Sequence, residues 1–271
     1  MATKKWLTGC GMGCLLMVIL TIVGGSFMFR NIKDTVSEFD GVGDTQAQLV
    51  EVYGGVSDFT PAADGVISSE RIEIYLRVQG LIKPTGDEFS QILLDLRALE
   101  NGEGFSLARI VNSAKGLKNL GSSVGRFLRI RNESLLDEGM GLGEYIYMTG
   151  IVYHAWLGEE LDYTLDGQIE EGSSERRRDM VRGLFMGFLK RQQALAREAG
   201  DPAGLAVAID GELAELAIDA GRIPWQDGLP PTLLESLTPF RERLEAVATG
   251  GGALLAVGTE KDGPGFHFDI E

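Results

Sequence analysis

The chain predicts a mainly α protein: one N-terminal transmembrane helix, then a soluble domain built as an irregular bundle of six to eight helices. Three observations carry this. Trp6–Phe29 runs for 24 residues without a charge. Apolar residues recur at helical spacing from residue 68 to 249. No alternating apolar–polar stretch of useful strand length appears elsewhere. The chain divides into a transmembrane anchor (1–33), an extended juxtamembrane arm (34–67), a helical domain (68–249) and a glycine-rich C-terminal tail (250–271).

Trp6–Phe29 is about 36 Å of helix at the usual rise, enough for a hydrocarbon core of roughly 30 Å. The run is longer than the apolar region of a cleaved signal, and Phe27-Met28-Phe29-Arg30 is a poor cleavage context. Leu7-Thr8-Gly9-Cys10 matches the pattern ahead of a lipidated cysteine, but only six residues precede it. A retained anchor is therefore expected. Lys4, Lys5 and the α-amino group outnumber Arg30 and Lys33, which places the N-terminus in the cytoplasm and the domain in a periplasm-like space. Both cysteines, Cys10 and Cys14, lie in the anchor. Gly9 and Gly13, four residues apart, offer a face on which another membrane helix can pack closely.

Gly41, Gly43, Gly54, Gly55, Pro61 and Gly65 punctuate residues 40–67, which read as an extended arm laid across a partner. Ser68 or Ser69 then caps a helix carrying Ile72, Tyr75, Leu76 and Gln79, which Pro84 is expected to end. Phe89, Ile92, Leu93, Leu96 and Leu99 make the next helix. A third helical region covers Phe105 to Leu136, broken near Gly121-Ser122-Ser123. Gly143–Leu157 is the most apolar segment outside the anchor and reads as the central core helix. Ser174–Ala199 follows, with Phe185, Phe188 and Leu189 on its apolar face. Asp201-Pro202 and Pro230-Pro231 open two further helices, because proline suits a first helical turn. Ala253–Val257 is a short strand-like run in the tail.

No constellation reads as catalytic, and no cofactor or metal site is expected. Gly121-Ser122-Ser123-Val124-Gly125 matches the Gly-x-Ser-x-Gly pattern, and Asp210 and His267 complete a residue order. The upstream text is basic and helical, though, where that motif needs a strand feeding a sharp turn. Residues 162–173 partly match a calcium loop: Asp162, Thr164, Asp166, Gly167 and Glu170 sit at the required positions, but Ser173 stands where a bidentate glutamate belongs. With His154 and His267 the only histidines, the usual zinc and haem ligand sets are nearly excluded outside the anchor.

All 40 acidic residues lie at or beyond Asp34, against 21 bases there, a net charge of −19. Such a domain is a poor nucleic-acid binder. One stretch breaks the pattern. Residues 105–132 hold no acid but six bases, Arg109, Lys115, Lys118, Arg126, Arg129 and Arg131. They either face lipid headgroups or an acidic partner, or pair internally with surplus carboxylates.

The opening Lys4-Lys5-Trp6-Leu7-Thr8-Gly9-Cys10-Gly11-Met12-Gly13-Cys14 resembles the start of many uncharacterised single-pass bacterial membrane proteins. With its anchor and arm, the chain is also similar to accessory subunits of bacterial energy-transducing assemblies, such as photosynthetic reaction-centre and light-harvesting complexes. That resemblance implies a non-catalytic subunit of the bacterial inner membrane, contacting other membrane subunits through Gly9, Gly13 and the arm. Two alternatives stand beside it: a solitary periplasmic ligand-binding or sensing domain with a pocket among the Tyr145–Trp156 aromatics, and a serine hydrolase using Ser123.

Overall fold

The computed structural model describes residues 41–100, 107–157, 173–201, 203–219, 221–222 and 224–248, with backbone alone at 89–100, 107–122, 154 and 173–181. The fold is mainly α, with no strand among the described residues. No helix among them is long and apolar enough to cross a membrane; Trp6–Phe29 lies outside them, as do Ala253–Val257 and the rest of the tail.

The first helix, α1 (41–53), corrects the reading of 40–67 as an extended arm. Val42 and Leu49 are two helical turns apart and buried, so core packing outweighs the low helix propensity of Gly41 and Gly43. Gly54 (φ 79°) ends the helix in the left-handed region that glycine tolerates. A 3₁₀ turn, Val56–Asp58, follows, and Val56 is again core. Only the stretch after it is irregular, and two side chains from later in the chain hold it: Arg191 donates to the Phe59 carbonyl (3.0 Å) and Gln192 to that of Ala62 (2.9 Å).

Helix α2 (Ser69–Glu100) begins where Ser68 Oγ accepts the Arg71 amide (3.3 Å). It runs straight through Pro84, contrary to expectation. Proline removes one hydrogen bond and crowds the carbonyl four residues back. That residue is Gly80, and no heavy atom outside its own helix lies within 4 Å of where its Cβ would stand. The buried residues Ile72, Tyr75, Leu76, Gln79 and Ile82 lock the helix before this point. Helix α3 (Leu107–Glu138) is likewise unbroken at 121–123. Ser123, Phe127, Leu128, Arg131 and Leu135 recur on one buried face and carry it through.

α2 and α3 form an antiparallel hairpin, tied by Arg77–Glu138 (2.7 Å) near one end and Arg126–Glu88 further along. α1 lies parallel to α3: Gly41 faces Arg129, Asn132 reaches Thr45 and Gln46, and Tyr53 packs on Gly139 and Gly141. Helix α4 (Leu142–Thr149) is buried on nearly every side and continues as a π-helical segment, Gly150–Trp156. Two of its glycines are packing requirements. A Cβ on Gly143 would stand 2.5 Å from Phe59 Cβ, and one on Gly150 would stand 1.9 Å from Phe185 Cζ. Helices α5 (Ser173–Glu198) and α6 (Leu205–Ile218) pair beside this core. α7 (Pro231–Leu237) and α8 (Arg241–Val247) close it, α8 against α2.

Candidate functional site

The largely apolar interior between α2, α3 and α4 holds a set of buried polar side chains. Gln79 donates from Nε2 to the Tyr75 phenol (2.9 Å) and the Tyr145 phenol (3.3 Å). Tyr75 donates to Thr149 Oγ1 (3.3 Å), and Thr149 in turn donates to the Tyr145 carbonyl (2.7 Å). Tyr153 donates toward Gln79 Oε1 (3.5 Å) and the Val247 carbonyl (3.4 Å), joining α8 to the network. Beside it, Arg131 is fully buried and gives two hydrogen bonds to Asn132 Oδ1 (3.0 and 2.8 Å). Asn132 passes its own amide to Thr45 Oγ1 (3.3 Å) and Gln46 Oε1 (3.2 Å) on α1.

Burial sets the protonation states. It pushes the phenols of Tyr75, Tyr145 and Tyr147 well up, so they stay neutral donors rather than bases or nucleophiles. It pushes the Arg131 guanidinium down to about 10, with the Tyr145 phenol partly opposing the shift. Chemically these two adjacent sets act as cross-links, one among α2, α4 with its π-helical extension and α8, the other between α3 and α1.

A second cluster sits at the end of α6. Glu212 is buried and accepts Arg222 through two nitrogens (2.9 and 3.2 Å) and the Trp225 backbone amide (2.8 Å). Arg222 also pairs with Asp227 (2.7 Å). The Glu212 bonds raise the Arg222 pKa and clamp the loop. Trp225 is held at φ 62°, an uncommon conformation for a bulky residue.

The residues singled out from sequence fall apart spatially. Ser123 lies buried in the middle of α3, with no strand or turn leading to it. Asp210 bonds Gln193 (2.6 Å) and Arg197 (2.6 Å), and His267 lies outside the described residues. The aromatics of Tyr145–Trp156 fill space: Tyr147 packs with Phe59, Phe185 and Phe188 at centroid distances of 5.7, 6.3 and 5.7 Å. Trp156 carries Arg241 over its ring (5.4 Å). Of the six bases, Arg131 does not belong to a surface stripe at all, and Arg126 pairs with Glu88. The side chains of Arg109, Lys115 and Lys118 lie outside the described set, as do Gly9, Gly13 and 162–172. Among the described residues, no group of three or more His, Cys, Asp or Glu is arranged to hold a metal ion.

Sequence reasoning missed the Arg131 network and the Glu212 clamp. The signal for Arg131 was available, since it falls on the same helical face as Phe127, Leu128 and Leu135. Comparison with known proteins finds no matching family model, no matching curated protein and no matching solved structure.

Proposed function

We propose that the chain is a non-catalytic, membrane-anchored accessory subunit that binds and stabilises a larger membrane complex, its helical domain on the periplasmic side. The observation that carries this reading is the charge-free run Trp6–Phe29, flanked by bases and followed by an acidic helical domain. The interior is consistent with it, because the buried hydroxyls and amides of the tyrosine network bond to one another, and those of Arg131 and Asn132 bond to α1, rather than facing a cavity. Gly9 and Gly13 supply a close-packing face for a partner helix. With Val42, Leu49 and Val56 in the core, the partner contacts expected along the whole arm reduce to the exposed residues Val50 and Val52 of α1. An energy-transducing or photosynthetic partner rests on the resemblance described above.

The test is gentle detergent extraction of native membranes, isolation of this chain, and mass spectrometry of what travels with it. Stoichiometric co-purification with membrane subunits, weakened by Val50→Asp with Val52→Asp, is the expected result. A chain that emerges alone and monodisperse overturns the reading. A solitary periplasmic ligand-binding or sensing domain then takes its place.

A further inference from the structure

We infer that α6 is a self-association surface, on which a second copy of this chain docks antiparallel about a two-fold axis. Val207, Gly211, Ala214 and Ile218 fall within about 60° of arc on α6, opposite the buried Leu205, Ile209, Glu212 and Leu216. All four are exposed. Val207 (71%) and Ile218 (82%) are the two most exposed large hydrophobics among the described residues. A helix that is apolar on its outward face as well as its inward one is suited to packing on both sides. Gly211 is a second, independent sign. Glycine is a poor helix former, yet it stands in the middle of α6, and no described atom outside the helix backbone lies within 4 Å of where its Cβ would be. Packing within the chain therefore does not require it. A partner helix at about 8 Å, the close end of the usual range, does.

The order of sizes selects a second copy as the occupant. Read from either end, the stripe is β-branched, small, small, β-branched, at spacings of four, three and four residues. A copy turned through 180° sets Ile218 against Val207 and Ala214 against Gly211, twice over, as a self-complementary interface demands. Antiparallel packing also brings opposite helix-dipole ends together. Charge argues against lipid, because α6 holds no Lys or Arg, and Asp210, Glu215 and Asp219 flank the stripe. Asp210 is paired with Arg197 (2.6 Å). In the antiparallel register the two Glu215 residues are offset by about 7.5 Å along the helices. Two acidic domains still repel, so the pair strengthens with salt. This pairing uses the helical domain alone and stands apart from the accessory-subunit reading.

The test is oxidative cross-linking of the full chain in mild detergent, with Cys10→Ser and Cys14→Ser as the background. In the antiparallel register the two copies of position 214 have Cα atoms about 5–6 Å apart, within disulfide reach. The two copies of position 207 lie about 16 Å apart along the helices, as do those of 218. Ala214→Cys should therefore give about tenfold more covalent dimer than Val207→Cys or Ile218→Cys. Raising salt to about 0.5 M should increase the yield at 214. Gly211→Leu, or Val207→Asp with Ile218→Asp, should lower that yield about tenfold with the denaturant midpoint unchanged, because none of these positions lies in the core. Dimer formed equally through 207, 214 and 218 means parallel packing and overturns the proposal. A yield at 214 no higher than at 207 overturns it as well. A monomer in which position 214 is closed to a thiol reagent assigns the face to the rest of its own chain, and shielding found only in native membranes assigns it to another protein. Either result also overturns the pairing.

Discussion

Two regions of the core are built on opposite principles. On one side of α4, Phe59, Tyr147, Phe185 and Phe188 form an aromatic block with centroids 5.6–6.3 Å apart. Its shape depends on the missing side chain of Gly150. On the other side, Tyr75, Gln79, Tyr145, Thr149, Arg131 and Asn132 are joined by directed hydrogen bonds. Dispersion and area burial are tolerant of chemistry but not of volume. Hydrogen bonds in a dry interior are tolerant of neither, because a deserted partner cannot return to water. The same short helix therefore has one face specified by shape and another by chemistry.

The sharpest way to break the comparison is on the aromatic side. Gly150→Val places atoms inside the Phe185 ring position and should cost about 3 kcal/mol, read as a drop in the denaturant midpoint. A smaller loss is expected on the polar side from Asn132→Leu, of similar volume. It removes the Oδ1 that takes two Arg131 bonds and should cost about 2 kcal/mol in the same measurement. If Asn132→Leu were neutral, the polar network would be space-filling like its neighbour.

Alkaline titration sharpens the difference further. As pH climbs past 10, phenols of the unfolded chain release protons that buried Tyr75, Tyr145 and Tyr147 retain, so stability falls. Arg131 acts oppositely, because its folded-state value of about 10 lies below its ordinary 12.5, and stability rises across that window. Three phenols outweigh one guanidinium. The denaturant midpoint should decline between about pH 9 and 11, with the tyrosinate absorbance of these three phenols appearing only as the protein unfolds. The smallest effect belongs to the surface. Arg243→Ala removes an exposed pair with Glu73 and should leave the midpoint unchanged within error.

Much of the fold was legible in the residues. Helix starts near Ser68, Ser174 and Pro231 are written in serines and first-turn prolines, whereas the helix expected from Asp201-Pro202 begins at Leu205, and the apolar stripe of α5 names Phe185 and Phe188 as core. The errors share one cause. Pro84, Gly121 and the glycines of 40–55 are local signals for breaks, and each is overruled by burial that depends on partners far along the chain. Leu49 becomes core only because α3 lies beside α1, and α2 passes Pro84 only because its flanks are held. The candidate site was less legible still. A basic stretch looks the same in sequence whether its arginine faces solvent or, like Arg131, the interior.

What the sequence by itself determined is therefore the class of structure: helices rather than strands, where most of them begin, an acidic domain, and a charge-free N-terminal run. Periodicity, capping and charge act within a few residues, so a linear text suffices for them. The tertiary structure alone decided that α2 and α3 stay whole, that α1 belongs to the core, that Arg131 is buried against Asn132, and that Trp225 is held left-handed by Glu212. Each of these sets a local cost against packing or hydrogen bonding from distant residues, and that balance exists only once the chain has folded.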